Sequence, residues 1–97
     1  MNTCKNSKKL FELGRIVITP GAASLLVACG IDACNIIERH QSGDWGELYP
    51  EDCSVNDDAM SYGGQILSAY KLGESQRLWI ITEVDRSVTT LLLPEEY

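Results

Sequence analysis

An α+β fold is what this chain predicts: an N-terminal strand and helices packed on one face of a C-terminal three-stranded antiparallel β-meander. Three observations lead there. Residues 66–72, 78–84 and 88–93 are short runs of strand formers, separated by the breaks Gly73-Glu74-Ser75-Gln76 and Asp85-Arg86-Ser87. Three helical patterns with their own start and stop signals stand together before those runs instead of alternating with them. A further β-branched string, Arg15-Ile16-Val17-Ile18, precedes the helices and can add a fourth strand.

In chain order, residues 1–9 are polar and read as a flexible tail, and residues 10–97 form one α+β domain. Residues 14–18 are the first strand. Thr19 caps the helix that follows, with Pro20 at its first position, where a fixed φ and a missing N–H cost nothing. Ala22, Leu25, Leu26 and Cys29 recur on one helical face, and Gly30 ends the helix. Asp32 caps a second helix, residues 33–41, whose stripe is Ala33, Ile36, Ile37 and His40. A loop with two glycines and two aromatics, residues 44–49, leads to a third helix from Pro50 to about Tyr62. Its first turn carries Glu51 and Asp52, which suits the helix dipole, and Val55, Ala59 and Tyr62 or Met60 are its expected inward residues. Gly63-Gly64 breaks it, and Pro94 stops the last strand because proline cannot donate to a ladder.

If both hairpins close around the breaks, Tyr70 faces Trp79, Ser68 faces Ile81, Ile81 faces Thr90 and Trp79 faces Leu92. Leu67, Ala69, Leu78, Ile80, Thr82, Thr89, Leu91 and Leu93 then make an aliphatic core face. The opposite face mixes hydroxyls with two aromatics. One residue of error in a turn exchanges the faces beyond it.

The composition, 44% hydrophobic and 23% charged, belongs to a globular chain and not to a disordered one. No apolar run approaches the roughly 20 residues that span a bilayer, and nothing near the start resembles a secretory signal, so a cytoplasmic protein without membrane partners is expected. The net charge is −6, and six acids between residues 44 and 58 stand without a lysine or arginine. Such a balance argues against nucleic acid as a partner. It also weakens the helix-turn-helix reading of residues 22–40, whose second helix offers only Arg39 and His40 as cations. The four cysteines contain no C-x-x-C and the chain has one histidine, so the expectation is reduced thiols, no metal and no cofactor.

Candidate functional residues fall in two groups. Asp44, Trp45, Glu47, Glu51, Asp52, Asp57 and Asp58 would form an acidic and aromatic surface for a protein partner, with a basic one matching its charge. Trp45 reads equally well as a lid folded back over the core. His40 has a near-neutral unperturbed pKa and reads either as a base or as a half-buried imidazole placed against a helix C-terminus. No sequence position specifies a nucleophile beside it.

Several strings give a resemblance. GRIVITPG (14–21), HQSGDWG (40–46), ILSAY (66–70), LWIITE (78–83) and DRSVTTLLLPEEY (85–97) resemble a family of small plasmid-related proteins carried on plasmids and integrative elements. The resemblance covers residues 13–97 and implies an accessory protein of bacterial mobile DNA, with no established activity and no residue roles to carry over. A fainter fold resemblance is to small RNA-cleaving toxins of the barnase and RelE kind. It implies an active site drawn from His40, Ser68, Tyr70, Thr82 and Thr90, on a sheet with few cations for a scissile phosphate. The expectation is a binding or inhibitory accessory module, with the toxin-like ribonuclease as the alternative and the oligomeric state open.

Overall fold

The computed structural model describes residues 9–97; the expected tail lies, but for residue 9, outside the described residues. The elements run β1 (Arg15–Ile18), α1 (Pro20–Cys29), α2 (Ala33–Gln41), α3 (Pro50–Tyr62), β2 (Ile66–Leu72), β3 (Gln76–Thr82), β4 (Val88–Leu92) and a 3-10 turn, Pro94–Glu96. The class is α+β, as expected. The sheet is four-stranded and mixed, in the order β1-β4-β3-β2, because β1 joins it parallel to β4 at one edge.

The helix limits follow their capping chemistry. Thr19 accepts from the Ala22 N–H, Asp32 accepts from the Cys34 N–H, and Gly30 closes α1 at φ 66°. Helices α1 and α2 cover one sheet face. Ala22, Leu26 and Ile36 meet Tyr70, Leu72, Leu78, Ile80 and Leu91 in the main core.

Helix α3 adds to the same face, with Ala59 packed near Ile66, but it turns inward other residues than expected. Its inward residues are Asn56 and Ala59, with Cys53 and Met60 partly buried, whereas Val55 (59%) and Tyr62 (87%) are exposed. The reason is polar. The Asn56 side chain donates to the Leu67 carbonyl at 2.6 Å and accepts from the Leu67 N–H at 3.0 Å, closing the open edge of β2. Satisfying that edge, not aliphatic periodicity, sets which way α3 faces.

The β3–β4 pairing agrees with the expected register, with Trp79 opposite Leu92 and Ile81 opposite Thr90. The β2–β3 pairing is shifted by one: Tyr70 faces Leu78, Ala69 faces Trp79 and Ser68 faces Ile80. Gln76 belongs to β3 and pairs with Leu72, leaving a turn of residues 73–75 that Gly73 enters at φ 68°. Every β2 side chain therefore changes face. Ser68 and Tyr70 lie in the core, and Leu67 and Ala69 move to the outer face beside Trp79 and Ile81. Ile80 is fully buried and Leu67 is not. Ile80→Ala is expected to cost about 2–5 kcal/mol, the range for a buried aliphatic truncation. Leu67→Ala should cost clearly less; equal losses in denaturant titrations would restore the unshifted register.

Cys29 and Cys53 are half-buried free thiols, while Cys34 is disulfide-bonded, which corrects the expectation of wholly reduced cysteines. Spacing rules speak to metal motifs, not to sulfurs that meet through space. Among the described residues, no single helix is long and apolar enough to cross a membrane.

Candidate functional site

Helix α2 carries His40 in its last turn, on the stripe that faces the sheet. The imidazole is fully buried. Its Nδ1 lies 2.6 Å from Ser68 Oγ on β2, and its Nε2 lies 2.9 Å from Thr82 Oγ1 on β3. Thr82 Oγ1 is 2.8 Å from Thr89 Oγ1 on β4, and Thr89 donates to the Leu13 carbonyl at 2.7 Å. Ser68, Thr82 and Thr89 are all fully buried too.

Proton bookkeeping orients this chain of bonds. A hydroxyl has one proton to give. Thr89 gives its proton to Leu13, so it accepts from Thr82. Thr82 has then used its own proton and accepts from His40, which fixes the neutral ring as the Nε2–H tautomer. Nδ1 is left as an acceptor, and Ser68 donates to it. Every nitrogen and hydroxyl in the chain is thus satisfied.

Burial pushes the His40 pKa down to about 3. The sequence reading of a half-buried imidazole, favourably placed against the helix dipole, is corrected on this point: the ring is fully buried. A dipole contributes at most about 2 kcal/mol, whereas taking an ion out of water costs several kcal/mol. Desolvation wins, and the ring is neutral.

The enclosure is aromatic. Phe11 and Trp45 present T-shaped contacts to the imidazole, with centroids 5.2 and 6.0 Å away. Trp45 is only 7% exposed and packs with Ala59 and Ile66. Of its two readings from sequence, the lid is the one the structure shows; Trp45 is not on the surface where it was expected to meet a partner. The segment before β1 ties down the same region, since Leu10 N–H donates to Gln41 O and the Gln41 amide donates to Phe11 O.

The SGDWG string holds the lid on the edge of β2. Asp44 receives the Arg39 guanidinium at 2.7 Å, and that bond, first among its causes, holds its carboxyl below the usual range. The Asp44 carbonyl accepts from the Tyr70 hydroxyl at 2.6 Å, while burial pushes the phenol up, and Arg39 lies over the Tyr70 ring at 4.6 Å. Gly46, at φ 76°, packs so tightly on β2 that a Cβ would collide with the Ala69 carbonyl. The backbone there bonds the strand edge in both directions, Ala69 N–H to Trp45 O and Glu47 N–H to Ala69 O.

His40, Ser68 and Tyr70 are therefore close together but enclosed, and Thr90 sits half-buried on the opposite face. The expected acids divide. Asp44 and Glu47 are neutralised by Arg39 and Arg77 in half-exposed pairs. Glu51, Asp52, Asp57 and Asp58 are exposed along α3 and make no ion pair among the described residues. Beside them an open groove of 210 Å³ runs between α3 and β2, lined by Leu48, Asp52, Val55, Asn56, Gln65 and Leu67.

Sequence reasoning gave no role to Asn56 or Arg86, and it placed Thr89 on the core face without its bonds to Thr82 and Leu13. Arg86, at φ 61°, donates to the carbonyls of Ala59 and Gly64 and so supplies the cation that α3 lacks in its own last turn. The only signal for it was the basic residue in the 85–87 turn. Comparison with protein-family models, with curated proteins and with solved structures returns no match.

Proposed function

We propose that this chain is a small protein-binding module, an accessory protein of the kind its resemblance to plasmid-related proteins implies, which receives a cationic, partly apolar segment of a partner protein along α3. The carrying observation is the groove between α3 and β2 with exposed acids beside it. Leu48, Val55 and Leu67 offer an apolar floor, Asp52 stands at the rim, and Glu51, Asp57 and Asp58 extend the charge along the helix. Lysine and arginine match such a surface, because their aliphatic stems bury while their charged heads stay at the carboxylates. Unpaired like charges on one helix also steer a basic partner and repel an acidic one. Tyr49 and Tyr62, 75% and 87% exposed, add aromatic area at the two ends of α3.

The ribonuclease alternative has one observation in its favour, the 2.6 Å Ser68–His40 contact. A substrate would need both groups at a surface, and both are fully buried.

A nuclear magnetic resonance titration with a synthetic leucine–lysine peptide tests the binding reading. Amide shifts are expected at Asp52, Val55 and Leu67, and a leucine–glutamate peptide should produce none. Asp57→Asn with Asp58→Asn should weaken the interaction severalfold and reduce its salt dependence, with the fold unchanged. Shifts elsewhere, or equal responses to the two peptides, would refute the proposal. RNA cleavage by the purified protein, lost in a folded His40→Gln variant, would replace it with the ribonuclease.

A further inference from the structure

The two edges of the sheet are unlike. The β2 edge is closed by Asn56 and by residues 45–47, as described above. The β1 edge is open among the described residues. Arg15 N–H donates to Ser87 O at 2.9 Å and Thr19 N–H to Leu91 O at 3.0 Å. Alternate residues of a strand bond the same neighbour, so the intervening positions, Ile16 and Ile18, turn their N–H and C=O groups away from β4. Their side chains are exposed too, at 38% and 39%. An uncovered strand of this kind is a template for pairing.

We propose that a second copy of this chain occupies the edge, with β1 pairing antiparallel to β1 across a two-fold axis and joining two four-stranded sheets. The strand is complementary to itself in one register. Placing Val17 opposite Val17 puts Ile16 opposite Ile18 twice. Both residues of each such pair have outward backbone groups, so each pair exchanges both of its hydrogen bonds. The same register brings isoleucines together on one face, a favourable cross-strand pairing. Charge agrees with it. Arg15, exposed and without an ion pair among the described residues, falls opposite Thr19 of the second copy. The Thr19 hydroxyl donates to the exposed carboxylate of Glu96 at 2.5 Å. Each end of the paired strands thus sets a cation toward an anion, in a chain whose net charge of −6 otherwise opposes self-association. The strand is only four residues long, so the contact is small and the dimer depends on concentration.

Sedimentation velocity on the full chain decides this, with covalent dimers excluded by non-reducing electrophoresis. A reversible species of twice 10.7 kDa is expected to grow with concentration. Ile16→Pro removes the outward N–H and the isoleucine of the cross-strand pair while leaving the bonds to β4 in place, and Arg15→Glu reverses the charge. Each should weaken dimerisation by about tenfold or more, given the bonds lost. Circular dichroism checks the fold of each, and Arg15→Glu, at an exposed position, decides if the proline variant does not fold. A monomer at every concentration from micromolar to millimolar would overturn the proposal, as would a dimer that Arg15→Glu leaves unchanged.

Discussion

His40→Ala is expected to destabilise the fold by about 4–6 kcal/mol, from the cavity left by the ring and from the hydroxyls of Ser68 and Thr82 losing their partner. Those hydroxyls are fully buried, so truncating the ring leaves both without their protein partner inside the core. A domain of this size has a total stability of about 5–15 kcal/mol, so the variant sits at the margin of folding. His40→Gln should fare better, because its amide can reach Thr82 while Ser68 loses its acceptor. The buried network implies a measurable loss for this exchange as well. Urea denaturation of the three proteins checks the order. A His40→Ala loss below about 1 kcal/mol, the size of an ordinary exposed substitution, would mean that the ring is not the keystone of the core.

The second large effect is acid destabilisation. The folded His40 titrates at about 3 against an ordinary 6.5. Between those values the unfolded chain holds one more proton than the folded chain, so stability falls as pH falls. The slope is about 1.4 kcal/mol per pH unit. Asp44, Asp85 and Glu96 are held below ordinary values of 3.8, 3.8 and 4.5, chiefly by side-chain bonds from Arg39, Ser87 and Thr19. Their contributions are also lost on acidification, but only below about pH 4.5. From pH 6.5 to 4.5 the loss, about 2–3 kcal/mol, belongs to His40. Denaturation midpoints measured across that window should fall for the parent chain and stay nearly level for His40→Gln. A parent chain with flat stability there would contradict a neutral buried ring.

Much of this fold is legible in the sequence because local chemistry decides it. Thr19-Pro20 and Gly30 bound α1, Asp32 starts α2, and the stripe Ala33, Ile36, Ile37 and His40 is the face that meets the core. The β3–β4 register is legible for the same reason, as the 83–87 break leaves Thr82 facing Thr89. The β2–β3 register is not. Whether Gln76 is turn or strand depends on how Gly73 bends the chain, and no propensity distinguishes the two. The site is less legible still. A histidine on an apolar stripe announces burial, but the hydroxyls that satisfy it come from β2 and β3, at sequence distances of 28 and 42. Asn56 reads as a solvated residue until it meets the Leu67 backbone. The acids of residues 44–58 look like one patch, yet Arg39 and Arg77 neutralise two of them and only the α3 group stays unpaired among the described residues.

Whether the chemistry-bearing residues are sealed into the core, leaving recognition to the surface of α3, is tested most directly on the imidazole itself. Long-range proton–nitrogen correlation spectra of His40 should show one tautomer, with the proton on Nε2 and Nδ1 as acceptor. That pattern should persist unchanged from neutral pH down to the acid unfolding transition. A ring that exchanges tautomers and titrates near 6.5 would place His40 in contact with solvent, and the sealed network with its binding-only reading would be wrong.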